Sequence, residues 1–99
     1  MFAHGYYVYI VTNPAKTTVY TGVTNDIRRR VHEHFENRGN RNTFAGRYFC
    51  YNLVHYEFFE HVEGATAREK EIKGWTRAKK DALVASKNPG WHTLNYAEL

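Results

Sequence analysis

The apolar and aromatic positions alternate at the start of the chain and then change to a helical spacing. Residues 6–12 and 17–23 are rich in β-branched and aromatic side chains, and residues 13–16 (Asn-Pro-Ala-Lys) separate them. These residue types favour strands and Asn-Pro favours a turn, so we predict an antiparallel hairpin. Side chains alternate between the two faces of a strand. If Tyr9 and Tyr20 lie on the same side of the hairpin, both phenols can reach one site.

A polar helix is predicted to follow the hairpin. Thr24 or Asn25 is a candidate N-cap, and the helix runs to about Glu36. A buried stripe is predicted at the positions with i, i+4, i+7, i+8 spacing, namely Ile27, Val31, His34 and Phe35. At about 100° per residue, Arg30 lies beside His34 on one flank of this stripe, and Arg29 points away into solvent.

The remaining pattern predicts an exposed loop, a third strand and two more helices. Residues 36–42 are polar, and residues 53–59 are typical of a strand. Glu63-Gly64 is expected to break the chain, and Thr66-Ala67-Arg68-Glu69 is a capping-box pattern that opens the second helix. Gly74-Trp75 ends it, and residues 76–86 form the third helix, with apolar contacts at Ala78, Leu83 and Val84. The order β-β-α-β-α-α predicts an α+β fold, with helices packed on a small, mainly antiparallel sheet.

Composition narrows the class of protein. The length of 99 residues predicts one domain over residues 1–99, and the net charge of +4 suits a polyanionic partner. Cys50 is the only cysteine, which excludes an intrachain disulfide and a multi-cysteine zinc site, and the histidines show no zinc-ligand spacing. Neither a signal peptide nor an apolar run of about 20 residues is visible, so we expect a cytoplasmic protein that does not span a membrane.

The motifs and their order resemble the GIY-YIG nuclease family, and most closely its small standalone bacterial members of largely unassigned function. Tyr7-Val8-Tyr9 occupies the first motif and Tyr20-Thr21-Gly22 the second. Arg30 and His34 fall where the family has its helix arginine and a His or Tyr. Residues 68–75 match the segment that carries the metal-binding glutamate, here Glu69. Two positions depart from the motifs, since Tyr7 stands for a glycine and Thr21 for an isoleucine.

The resemblance implies a metal-dependent nuclease that hydrolyses phosphodiester bonds in DNA, including structured or repair substrates. Glu69 would bind one Mg²⁺ or Mn²⁺ ion, with water filling the other positions, as suits Mg²⁺. Tyr20 would activate the attacking water and Tyr9 would help to position it. Arg30 would bind the scissile phosphate through its planar guanidinium, and His34 would bind phosphate or relay a proton.

Each of these residues also has a structural alternative. Glu69 could close the capping box with Thr66. Tyr9 and Tyr20 could be aromatic residues of the sheet. Arg30 could be a surface or ion-pairing arginine, and His34 a hydrogen-bonded helix histidine.

Further cations are candidates for contact with a nucleic-acid backbone or for a solvated helix face: Lys73, Arg77, Lys79 and Lys80. The resemblance adds Asn95, which could bind phosphate or hold the C-terminal segment. Arg47, Tyr48 and the loop 36–42 are possible substrate contacts that the sequence does not decide. The main alternative function is a nucleic-acid-binding module without catalysis, and the next is a protein–protein adaptor that uses exposed aromatic residues.

Overall fold

A three-stranded antiparallel sheet forms the centre of the fold in a computed structural model that describes residues 5–94. The strands are β1 (Tyr6–Thr12), β2 (Val19–Thr24) and β3 (Asn52–Phe59), in the spatial order β2-β1-β3. The helices of this part of the chain are α1 (Ile27–Glu36), α2 (Phe44–Arg47), α3 (Val62–Lys73) and α4 (Arg77–Lys87). The α+β class is therefore confirmed. The short helix α2 is an addition that the pattern did not predict.

The register of the hairpin places the two tyrosines on the same side of the sheet. Tyr9 is opposite Gly22, and Val11 is opposite Tyr20. Residues that face each other across antiparallel strands share a face, as do residues two apart on one strand. Tyr9 and Tyr20 therefore project from the same face, which meets the condition stated for a shared site.

Helices cover both faces of the sheet, and each face has its own apolar cluster. The cluster on the α1 side contains Tyr9, Val11, Ile27, Val31, Ala45, Cys50 and Leu53. The cluster on the side of α3 and α4 contains Val8, Ile10, Val54, Ala65, Ile72 and Val84. Cys50 is fully buried, and burial raises the pKa of its thiol to about 11.

Helix α1 ends at Glu36 as predicted, but its N-cap is neither Thr24 nor Asn25. Asp26 is the N-cap, and its side chain accepts a hydrogen bond from the backbone N–H of Arg29. Ile27, Val31 and His34 are buried, which confirms three positions of the stripe. Phe35 is not buried, because it lies about 80° around the helix from Ile27, at the rim of the contact.

Helix α3 begins one turn earlier than predicted, so the capping box at Thr66 is wrong. The helix starts at Val62 with His61 as its N-cap, and Gly64 lies inside the first turn. A Cβ at Gly64 would lie only 3.2 Å from Cδ1 of Phe59, so glycine allows the helix to approach β3 closely. Glu69 consequently lies two turns inside the helix, where it cannot close an N-terminal cap.

An ion-pair network holds α3 against β3. Arg68 donates from Nε to Glu57 at 2.8 Å and from Nη2 to the same carboxylate at 3.1 Å. Burial alone would raise the pKa of Glu57, but the hydrogen bonds from Arg68 and His55 hold it below its usual value. Such a two-point contact fixes orientation as well as distance. Because the next residue is about 100° further around the helix, Glu69 turns away from this contact.

Helix α4 begins after Thr76, whose side chain accepts a hydrogen bond from the backbone N–H of Lys79. Val84 is buried and Leu83 half-buried, as predicted, whereas Ala78 is exposed. Among residues 5–94, no helix is long and apolar enough to cross a membrane.

Candidate active site

The hydroxyl of Tyr9 is the centre of a buried polar cluster between the sheet and α1. It accepts a hydrogen bond from Nε of Arg30 at 3.2 Å and lies 2.8 Å from Nε2 of His34. Tyr9 is 1% exposed, so water does not complete these interactions. The predicted proximity of Arg30 and His34 on one flank of α1 is therefore confirmed.

The pKa shifts of Tyr9 and His34 indicate which groups of this cluster are neutral. Burial, together with the charge of Arg30, lowers the pKa of His34 to about 4. Burial raises the pKa of Tyr9 to about 12, although Arg30 opposes the shift. Both groups are thus neutral at pH 7. Since Arg30 can only donate, the buried hydroxyl hydrogen of Tyr9 finds its acceptor in Nε2 of His34, which places the imidazole proton on Nδ1.

Arg30 remains partly open to solvent while these contacts hold it. Its Nη1 forms a 3.2 Å ion pair with Glu33, and its side chain is 38% exposed. The hydrogen bond to Tyr9 and the ion pair with Glu33 restrict the side chain at two points. A pre-oriented guanidinium at a surface suits a ligand with anionic oxygens. Arg29 is more exposed, as predicted.

Tyr20 lies at the open side of the cluster, on the edge strand β2. Its ring centroid is 5.6 Å from that of His34 and 6.5 Å from that of Tyr9. It is half-buried, in contrast to Tyr9. The two phenols therefore have different environments, one inside the protein and one at its surface.

Glu69 approaches the same edge from the helix layer on the opposite face. Its carboxylate forms a 3.2 Å ion pair with Nζ of Lys73, and that ammonium lies 5.6 Å from the centroid of the Tyr20 ring. After burial, the charges of Tyr20 and Glu69 add smaller contributions that raise the pKa of Tyr9. Residues from β1, β2, α1 and α3 thus converge at the β2 edge.

Gly22 provides the space for the Tyr9 hydroxyl. A Cβ at this position would lie 2.4 Å from the Tyr9 oxygen and 2.6 Å from its Cζ. No neighbouring atom of a rigid, buried ring can yield by that much. The glycine of the second motif is therefore required by the tyrosine of the first.

The other predicted cations have contacts within the protein. Arg77 donates to the carbonyl oxygen of Thr17 at 2.7 Å and pairs with Asp81. The Nζ of Lys79 lies 4.4 Å from the centroid of the Trp75 ring, and Lys80 is half-buried. Their role in binding nucleic acid stays a prediction. Asn95 lies outside the described residues.

Sequence reasoning missed two features of this site. One is the pairing of Glu69 with Lys73, which their i, i+4 spacing on a helix could have indicated. The other is Phe44, whose ring stacks on Tyr20 at 6.3 Å. Nothing in the local pattern connects Phe44 with a strand more than twenty positions away.

Comparison with known proteins agrees with this architecture. The family model described as the GIY-YIG catalytic domain matches residues 5–81, which include every site residue described above. A UPF0213 protein of the archaeon Haloquadratum walsbyi is 45% identical over 79 residues, covering 80% of this chain and 85% of the relative. A UPF0213 protein of Bacillus pumilus is 33% identical over 84 residues, covering 85% of this chain and 83% of the relative.

A solved structure is also similar. The solution NMR structure of a UPF0213 protein from Bacillus halodurans has a TM-score of 0.57 and 34% identity, and the match covers 90% of this chain and 92% of that one. The chain therefore belongs to the GIY-YIG domain family and, within it, to the group of UPF0213 proteins.

We predict that Gly22→Ala displaces Tyr9 and lowers the free energy of unfolding by about 1–3 kcal/mol, as expected for overpacking. Urea unfolding measures this change. Gly74→Ala is the control, because a Cβ there would meet its nearest neighbour at an ordinary 3.5 Å. Equal stability of Gly22→Ala and the wild type would contradict the packing described here.

We predict that His34 makes stability depend on pH between about 4 and 6.5. In this window the unfolded chain binds a proton at His34 and the folded chain does not. Titration of His34 therefore does not lower the free energy of unfolding above about pH 6.5. Below that pH it lowers this free energy toward pH 4, by at most about 1.4 kcal/mol per pH unit.

The control for this prediction is His34→Gln, which keeps an acceptor for Tyr9 but does not titrate. The free energies of unfolding of the wild type and His34→Gln are compared at each pH, and in their difference the contributions of other titrating groups cancel. Parallel pH dependences for the two proteins would show that His34 titrates normally in the folded state.

Proposed function

We propose that this protein is a metal-dependent endonuclease that hydrolyses phosphodiester bonds in DNA. The observation that carries the proposal is the convergence of an arginine, a phenol and a carboxylate at the β2 edge, in a chain with a GIY-YIG catalytic domain. Phosphodiester hydrolysis needs groups that bind the phosphate, orient a water molecule and balance developing negative charge. The arginine would bind the phosphate, the phenol would orient the water, and a metal ion held by the carboxylate would balance the charge.

Arg30 would bind the scissile phosphate. Its guanidinium is held by Tyr9 and Glu33 and remains partly exposed, so it is ordered before a ligand arrives. Ordering a long side chain in advance reduces the entropy lost on binding. His34 is buried and neutral, which favours a role in holding Tyr9, and through it Arg30, over direct contact with phosphate.

Tyr20 would orient the attacking water. Tyr9 is unsuited to this task, because its hydroxyl is buried, is engaged with two partners and has a pKa of about 12. Tyr20 lies on the surface side of the same cluster, within reach of solvent. The two tyrosines would therefore have different roles: Tyr9 would position Arg30, and Tyr20 would contact the water.

Glu69 would hold one Mg²⁺ or Mn²⁺ ion. Residues 5–94 contain no group of three or more potential metal ligands, so the site would be one carboxylate with water in the other positions, which suits Mg²⁺. The carboxylate is paired with another cation, the Lys73 ammonium, which a bound metal ion would displace from it. A bound divalent ion would neutralise phosphate charge and lower the pKa of a coordinated water.

Lys73 would contribute a further positive charge at this edge. Its ammonium lies 3.2 Å from the Glu69 carboxylate and 5.6 Å from the centroid of the Tyr20 ring, and the side chain is 47% exposed. Nucleic acid as the substrate follows from the catalytic domain, and DNA, with a preference for structured or repair substrates, is the more specific part of the proposal.

We predict that Glu69→Gln lowers metal-dependent cleavage of labelled DNA by at least roughly 100-fold, because the amide cannot replace the charge of the carboxylate. Cleavage is measured in a titration of Mg²⁺ and Mn²⁺ on duplex, single-stranded, flap and branched DNA. Glu71→Gln is the control, since Glu71 is on the same helix but pairs with Arg68. Cleavage by Glu69→Gln at the wild-type rate would refute the assignment.

The same experiment separates the enzyme from a non-catalytic binding module. A module would bind DNA with a steep salt dependence and give no product at any metal concentration. A nuclease would give a product that disappears in Glu69→Gln, while DNA binding without metal is retained.

A further inference from the structure

An exposed aromatic surface continues from Tyr20 away from the buried cluster. Phe44 is 51% exposed and Tyr48 is 43% exposed, although both are large aromatic residues. The ring of Phe44 stacks on Tyr20 at 6.3 Å with an angle of 29°, and its centroid is 4.8 Å from that of Tyr48. We call Phe44 and Tyr48 the aromatic platform. It adjoins the candidate site without being part of its buried core.

The backbone beneath the platform is held firmly. The Thr43 side chain accepts a hydrogen bond from the backbone N–H of Gly46 at 3.0 Å and so caps α2. Ala45 and Cys50 are buried, and the backbone N–H of Cys50 donates to the carbonyl oxygen of Ala45 at 2.8 Å. A Cβ at Gly46 would lie 2.5 Å from the carbonyl oxygen of Asn40, so only glycine fits. The exposed rings therefore stand on a preformed turn.

The segment that carries the platform is basic, which favours an anionic ligand. Residues 36–50 contain three arginines (Arg38, Arg41 and Arg47) and a single acidic residue, Glu36. Arg47 is held by a hydrogen bond from Nη2 to the carbonyl oxygen of Arg41 at 3.1 Å. Exposed aromatic rings among cations are the combination that binds nucleic-acid strands, by stacking on bases and by attraction to phosphates.

We propose that Phe44 and Tyr48 stack an unpaired nucleobase of the DNA strand whose phosphate lies at Arg30. The inference rests on the proposed function, and it adds a substrate feature. A base inside a duplex has its faces covered by its neighbours, so the platform selects a base that is single-stranded or displaced from the stack. The continuity of Phe44 with Tyr20 places this base next to the reacting phosphate.

The test is DNA binding without metal, measured by fluorescence anisotropy with a short labelled single strand. Three probes are compared: the intact strand, the same strand with abasic residues, and its perfect duplex. Wild-type protein should prefer the intact strand. Phe44→Leu, which keeps an apolar side chain but removes the ring face, should weaken binding of the intact strand roughly 5- to 100-fold. It should change binding of the abasic strand much less.

Phe58→Leu is the matched control. Phe58 is 43% exposed and lies on β3, the opposite edge strand from Tyr20, so its substitution should leave all three affinities unchanged. Tyr48→Leu is a second test of the platform, with the same expected direction as Phe44→Leu. Unfolding curves for each variant exclude a loss of fold as the cause.

Two outcomes would contradict the proposal that the platform stacks a nucleobase. One is equal binding of the intact strand by Phe44→Leu, Tyr48→Leu and the wild type. The other is a change of oligomeric state in Phe44→Leu with unchanged DNA affinity, which would make the surface a contact between copies of the chain. Because no metal or cleavage is needed, failure of the proposed nuclease activity would leave the binding result intact, and the two proposals can fail separately.

Discussion

The Tyr9 hydroxyl is the interaction on which the rest of the site depends. It lies in the interior, between the central strand and α1, and it joins the only guanidinium and the only imidazole of the cluster described here. A buried hydroxyl needs both a donor and an acceptor, and Arg30 and a neutral His34 supply them. The position of Arg30 at the surface is therefore a consequence of hydrogen bonding inside the protein.

This constraint explains the small residues and the burial around it. Gly22 is opposite Tyr9 because any Cβ would occupy the space of the hydroxyl. Burial and the charge of Arg30 keep His34 neutral, and its unprotonated Nε2 then accepts from Tyr9. Tyr20, by contrast, packs at the margin of the apolar cluster and is only half-buried. The same residue type thus occupies two environments, one buried and one partly exposed.

The site also depends on how α3 crosses the sheet. Arg68 fixes α3 to β3 through Glu57, and the following residue, Glu69, then points to the β2 edge. The helix thereby brings the Glu69 carboxylate and the Lys73 ammonium to the β2 edge of the sheet, where Tyr20 lies. An ion-pair network between α3 and β3 thus helps to set the position of the candidate acidic residue.

Much of this could be predicted from the sequence where the signal is local. The alternating aromatic and β-branched residues of β1 gave its bounds, and the helical spacing of Arg30 and His34 gave their proximity. The start of α3 was missed because Gly64 is a helix breaker by propensity, whereas close packing on Phe59 is what favours it there.

The contacts of Phe44 with Tyr20 and of Lys73 with Tyr20 were missed for a different reason. They join segments distant in sequence, and the pattern contains no information on which loops meet at a sheet edge. Helix α2 has four residues, too few for a periodic signal.

The hydrogen bond between Tyr9 and His34 is tested most directly by the tautomer of His34, measured by nitrogen NMR of the imidazole at pH 7 in the wild type and in Tyr9→Phe. We expect a neutral ring in the wild type, with its proton on Nδ1 and an unprotonated Nε2 that accepts from Tyr9. We also expect that the Nε2 signal shifts when the hydroxyl is removed. A protonated Nε2, or an Nε2 signal unchanged in Tyr9→Phe, would contradict the hydrogen-bond arrangement from which the site is built.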